Sequence, residues 1–190
     1  MSLDSSLVKT LNSWGEHHRS LVRICSNDIV YAVILLTILW FLVVMIKGRS
    51  TKRGWRYFSV NLLVKGVLIF ALPAGIAVLI SETISAIYIR QRPFVAVPGV
   101  KLLVAHGADG GMPSHHVVLM TTLIAVVYLY QKKFAIFLTV LMVISGIARV
   151  AAGIHYPTDV LVAVVLGAGI AYLYRWGLLK FINEKWLALD

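Results

Sequence analysis

The chain has 190 residues, 59% of them hydrophobic and 14% charged, with a mean hydropathy of +0.86 and a formal net charge of +10. That balance excludes a water-soluble globular domain and describes an integral membrane protein. The single cysteine, Cys25, excludes an intramolecular disulfide and is given no role.

Residues 1–28 mix Leu, Val and Trp with Lys9, Glu16, Arg19, Arg23 and Asp28. They lack the apolar core of a cleaved leader and read as an amino-terminal interfacial helix. A membrane span needs roughly 20 apolar residues, and five stretches qualify: Ile29 to Ile46, Phe58 to about Ile80, Ser114 to Tyr130, Phe134 to Ala152 and Asp159 to Trp176. The second carries Pro73 but no polar turn, so it reads as one long, kinked helix that projects beyond the bilayer towards Arg90. The expected fold is therefore all-α: one polytopic, membrane-embedded domain over residues 1–190 with about five transmembrane helices.

Orientation follows from the cationic loops, which stay in the cytoplasm. Lys47, Arg49, Lys52, Arg53, Arg56, Lys132, Lys133, Arg175, Lys180 and Lys185 all fall on one side. The positive charge is thus topological, and its partner is the anionic inner leaflet of the bilayer rather than nucleic acid. Five spans then put the amino terminus outside and the carboxyl terminus inside. On the outer side, the loop from Arg90 to His116 and the loop from Arg149 to Asp159 share one surface, although they are far apart in sequence. Between them they hold Arg90, Arg92, His106, Asp109, Ser114, His115, His116, Arg149, His155 and Asp159. Ionisable groups are expensive at membrane depth, so this convergence marks a functional site.

The residue types point to phosphate chemistry. Arginine forks match phosphoryl oxygens, and two from separate loops can clamp one group and neutralise charge in the transition state. Ser114 precedes an apolar helical run, where its hydroxyl either caps the helix or joins the first free amides in an anion cradle. His116, on that helix's first turn, is placed to protonate a leaving oxygen. His155 precedes Asp159 by four residues in GIHYPTD, so a carboxylate can hold one imidazole nitrogen and leave the other free to attack phosphorus. A metal site of His115, His116, His155 and Asp159 is a second reading, opposed by the clustered arginines and by the absence of zincin spacing.

These residues resemble the type 2 phosphatidic acid phosphatase superfamily of membrane lipid phosphatases over about Ser81 to Tyr174. The family's lysine, six residues, Arg-Pro is similar to SAIYIRQRPF, with Arg92 and Pro93 matching and Ser85 at the lysine position. Its Pro-Ser-Gly-His is similar to PSHH, with His115 in place of glycine. Its Ser-Arg, five residues, His, three residues, Asp is similar to ARVAAGIHYPTD, with Ala148 in place of serine.

The resemblance implies that His155 is the nucleophile of a phosphohistidine, Asp159 its orienting partner and His116 the acid for the leaving group. Arg92, Ser114 and Arg149 would bind the phosphoryl oxygens, with Arg90 and His115 as further substrate contacts and no metal or other cofactor required. Within the superfamily the chain looks most like the bacitracin-resistance type of undecaprenyl pyrophosphate phosphatase, acting on the outer side of a bacterial inner membrane. Phosphatidylglycerophosphate or phosphatidate phosphatases, a lipid A phosphotransferase and a non-catalytic lipid-phosphate binder or flippase are the alternatives. Oligomeric state is not legible.

Overall fold

The computed structural model describes residues 2–47 and 62–179, and among these every regular element is helical. In chain order they are α1 (Leu3–His17), α2 (Arg19–Lys47), α3 (Leu62–Ile87), the single turn α4 (Pro93–Ala96), α5 (His115–Tyr128), α6 (Lys132–Ala151) and α7 (Pro157–Leu179). Most of the cationic loop after Lys47, together with Lys180 and Lys185, lies outside the described residues.

Four helices, α2, α3, α6 and α7, are long and apolar enough to cross a membrane. The expected fifth span, α5, has 14 residues, about 21 Å at 1.5 Å per residue and short of a hydrocarbon core of about 30 Å. Its length is not set by lipid because protein surrounds it. Val117, Val118, Met120, Thr121, Thr122, Leu123, Ile124, Val126 and Val127 are buried, against α7 and α6 above all, and also against α3 and α2. The closest approach is at Gly167 of α7, where an added Cβ would lie 2.6 Å from the Val118 carbonyl oxygen. Thr122 Oγ1 donates to the Gly167 carbonyl at 3.1 Å across this seam, the small-residue packing expected where apolar burial alone does not drive helices together.

Two boundaries differ from expectation. The break near the amino end falls at His18, not at Ile29, so α2 extends 29 residues and carries Arg19, Arg23 and Asp28 in its amino-terminal part. In addition, α1 is not only an interfacial element. It buries Val8, Asn12 and Gly15 against the body, chiefly on α6. Leu3 and Trp14 stay exposed on its other side.

Helix α3 runs through Pro73 without a break because the turn before it is π-helical, Val67–Ala71. The amide of Leu72 reaches back to the Val67 carbonyl, which leaves the Leu68 carbonyl without its own i+4 donor. Pro73, the next candidate, has no N–H. The Tyr174 hydroxyl of α7 fills the vacancy, donating to Leu68 O at 2.7 Å. Tyr174→Phe therefore strands a carbonyl in an apolar setting and should destabilise the fold by about 1–3 kcal/mol, read as a lower Tm of the detergent-purified protein. An unchanged Tm would show that the carbonyl finds another donor.

Candidate active site

The site lies at the end of the bundle where α5 and α7 begin and α6 ends. Arg92 caps α4 and is 1% exposed. Its Nη1 donates to the Ile154 carbonyl at 2.9 Å, its Nη2 to the Gly110 carbonyl at 3.0 Å, and its Nε to the Asp109 carbonyl at 3.1 Å. The Asp109 carboxylate is its one acidic partner, 3.0 Å away and largely exposed. Arg149, in the last turn of α6, is 2% exposed. It donates from Nη1 to the Ser26 carbonyl of α2 at 3.0 Å and from Nε to Ser114 Oγ at 3.2 Å. Among the described residues no carboxylate pairs with it. Ser114 occupies the N-cap position of α5, yet its hydroxyl makes no capping bond and serves Arg149 instead.

His155 lies between these arginines in the turn joining α6 to α7, 1% exposed. Its Nδ1 is 2.7 Å from the Gly111 carbonyl oxygen and its Nε2 is 3.1 Å from Arg149 Nη2. A carbonyl only accepts, so Nδ1 carries the proton and Nε2 holds a lone pair. Burial, and then the charges of Arg149 and Arg92, hold the His155 imidazole well below its ordinary pKa, which keeps it neutral. His155 is thus a neutral imidazole whose Nε2 lone pair accepts from the Arg149 guanidinium.

Asp159, in the first turn of α7, is fully buried. Its Oδ2 is 3.8 Å from His155 Nδ1, beyond hydrogen-bonding reach, and accepts from the Tyr156 amide at 2.7 Å. The atom that holds the imidazole directly is the Gly111 carbonyl, and Asp159 fixes the turn that carries the ring by accepting from the Tyr156 amide. Asp159 Oδ1 accepts from Arg90 Nη1 at 2.5 Å, while Arg90 Nη2 meets Asp4 of α1 at 2.8 Å. Arg90, expected among the phosphate contacts, is thus committed to two carboxylates and stacked 4.0 Å over the Tyr156 ring. Burial works against the Asp4 carboxylate, but hydrogen bonds from Thr158 and Arg90 hold it below the usual range and keep the bridge charged.

The two histidines of PSHH diverge. His115 sends Nδ1 to Ser81 Oγ of α3 at 2.9 Å. His116 is half-buried and close enough to Arg149 to sense its charge. Among the described residues, no three His, Cys, Asp or Glu side chains are grouped to hold a metal ion. The site therefore joins Ser114, Arg149 and His155 directly and Arg92 through the Ile154 carbonyl, with Asp159 behind them. It also depends on groups that no motif announces: the carbonyls of Gly110, Gly111, Ile154 and Ser26. The paired glycines of GADGGMPS were a sequence signal for the first two alone.

Ser85 explains the missing lysine. Its hydroxyl donates to the Gly110 carbonyl at 3.0 Å, and a Cβ on Gly110 would lie 2.5 Å from Ser85 O and 2.6 Å from Ser85 Oγ. The loop that holds Arg92 thus rests against a short residue, and a lysine here would push the loop away.

Residues 66–182 match the family model described as PAP2 superfamily. The chain is 30% identical over 111 residues to the bacitracin transport permease protein BcrC of Bacillus licheniformis, a match covering 57% of this chain and 55% of that one. The chain thus spans about half the length of that relative. It is 24% identical over 172 residues to the undecaprenyl-diphosphatase BcrC of Bacillus subtilis, covering 90% of this chain and 82% of that one. Its fold is similar to the crystal structure of Aquifex aeolicus LpxE, with a TM-score of 0.62 at 18% identity over 93% of this chain and 96% of that chain. It is equally similar, with a TM-score of 0.62 at 19% identity, to a transmembrane PAP2 type phosphatidylglycerolphosphate phosphatase from Bacillus subtilis, over 95% and 86% of the two chains.

Restoring the family lysine should harm this chain. A shift of about 1 Å in a positioned group costs on the order of a hundredfold in rate, so Ser85→Lys should lower kcat/KM for phosphate release by about that factor. Ser85→Ala, which loses only one hydrogen bond, should lower it far less. A Ser85→Lys protein more active than the parent would contradict the packing argument.

Proposed function

The chain belongs to the PAP2 superfamily, and on that premise we propose that it is a membrane lipid phosphatase that removes the terminal phosphate of undecaprenyl pyrophosphate through a phosphohistidine. The observation that carries this reading is the pair of buried arginines around a neutral His155 whose Nε2 lone pair faces Arg149. Two buried cations with one exposed carboxylate, Asp109 against Arg92, leave an excess of positive charge suited to a phosphoryl group. The lipid assignment rests on the name of the Bacillus subtilis relative, undecaprenyl-diphosphatase BcrC.

In the proposed reaction, Nε2 of His155 attacks the terminal phosphorus and the bond to the bridging oxygen breaks. Arg149 Nη2, which donates to Nε2 in the resting site, turns to a phosphoryl oxygen as the lone pair is used. Arg92, the Ser114 hydroxyl and the first amides of α5 take up the remaining oxygens. As Nε2 becomes bonded, positive charge develops on the ring. The Gly111 carbonyl at 2.7 Å and the Asp159 carboxylate at 3.8 Å stabilise it. His116 gives its proton to the departing lipid phosphate, and the negative charge of bound substrate favours its protonated form. Water then releases phosphate from His155. No step calls for a metal.

The chemistry is tested by His155→Ala and His116→Ala in purified, folded protein. Each should lose most turnover, by roughly a hundredfold to ten-thousandfold for the acid, while phosphate label in the parent protein is recovered on His155. Side-by-side kinetics on undecaprenyl diphosphate, its monophosphate, phosphatidylglycerophosphate and phosphatidate should favour the diphosphate. Near-normal turnover in His155→Ala would reject the nucleophile, and a preference for either glycerolipid would reject the carrier lipid alone.

We further place the site on the outer face of a bacterial inner membrane, from the cationic residues expected on the opposite side. In a Cys25-free protein, a cysteine at the exposed Ala108 should react with a membrane-impermeant thiol reagent in intact cells, and one at the exposed Lys132 should not. The reverse pattern would invert the topology.

A further inference from the structure

His106 is the one imidazole near His155 that the reaction above does not use. It lies in the loop between α4 and α5, and its ring stands edge-on to that of His155, centroids 6.4 Å apart and planes at 77°. Its Nδ1 is 3.2 Å from the Gly107 carbonyl oxygen and 3.8 Å from Asp109 Oδ1. The acceptor-only carbonyl puts the ring proton on Nδ1 and leaves Nε2 with a free lone pair. His155 is wired in the same way, with a carbonyl oxygen at 2.7 Å and a carboxylate at 3.8 Å from Nδ1. The two differ in access: the His155 side chain is 1% exposed and that of His106 is 24% exposed. One ring is shielded from solvent and its neighbour opens to it.

We propose that His106 is a catalytic residue of the second half-reaction, the general base that takes a proton from the water that hydrolyses the phosphohistidine on His155. The water oxygen bonds to phosphorus as the P–N bond breaks, and that bond's electron pair returns to His155 Nε2. The water proton passes to His106 Nε2, inorganic phosphate leaves, and His106 returns the proton to solvent. The imidazolium formed meanwhile faces Asp109, which is itself held by Arg92 at 3.0 Å. Burial, then the Arg92 charge, hold His106 below its ordinary pKa, so it enters this step unprotonated, as a base must. His116 has no comparable arrangement: no carboxylate lies against it among the described residues.

This inference rests on the phosphohistidine reading, and rapid-quench kinetics separate the two. His106→Ala and His106→Gln proteins are mixed with a polyprenyl diphosphate and quenched in alkali, which preserves phosphohistidine, and both protein-bound and free phosphate are counted. Both variants should form phosphohistidine at near the parent's initial rate, then accumulate it towards one per chain. Steady-state release should fall by about a hundredfold or more, and added imidazole should partly restore it in His106→Ala. His116→Ala should instead slow formation without accumulation. Unchanged steady-state release, or an equal loss of formation and release in both His106 variants, would overturn the role of His106 while phosphohistidine in the parent still stands. Absence of phosphohistidine from every protein, with His155→Ala active, would overturn both.

Discussion

Two guanidinium groups, those of Arg92 and Arg149, are taken almost wholly out of solvent. Removing a cation from water costs several kcal/mol unless its donors are satisfied. Here they are satisfied mainly by backbone carbonyls: Asp109, Gly110 and Ile154 for Arg92, and Ser26 for Arg149. Carbonyls supply hydrogen bonds without cancelling charge. The folding problem is thus to bring four chain segments to two forks, and the result is an excess of positive charge buried beside His155.

The loops and turns obey that demand. Gly110 brings its carbonyl to Arg92 while resting on Ser85, and Gly111 turns its own to His155. Gly153 sits at a φ of +78°, where a Cβ would come within 2.7 Å of the Lys101 carbonyl oxygen. That left-handed turn lets α6 end at Ala151, just past Arg149, and the chain return at once with His155. A second cluster, in which two carboxylates share one guanidinium, lies beside the first: Asp4, Arg90, Thr158 and Asp159. It absorbs Arg90 and fixes Asp159, leaving Arg92 and Arg149 as the cations around His155.

Much of this was legible in the chain. Arg92, Ser114, Arg149, His155 and Asp159 are side chains at fixed spacings next to span ends, and topology alone puts them on one side. What escaped was carried by backbone atoms or by distant pairing. Nothing in a residue letter says that the Ser26 carbonyl serves an arginine 123 positions away, or that Asp4 reaches Arg90. The start of α2 was missed for a different reason. Hydropathy falls below span level before Ile29, yet the buried residues Val22, Ser26, Val30, Val33, Thr37, Phe41 and Met45 form one helical stripe across that boundary. Periodicity held where apolar content did not. The short α5 follows the opposite logic, since an apolar run read as lipid-facing is in fact enclosed by its neighbours.

The bridge at Arg90 also constrains the order of assembly. Asp4 accepts from the Thr158 amide and hydroxyl, contacts that span 154 positions, and both residues meet Arg90 from the middle of the chain. Closing so long a loop has an entropic cost that only the finished interface offsets. A contiguous fragment lacking the last helix contains Asp4 and Arg90 but neither Thr158 nor Asp159, so a ribosome that has released only α1 to α6 has delivered both buried arginines and no His155 between them. The geometry of the candidate site is therefore a late event of biogenesis, completed only once the chain has been made into α7.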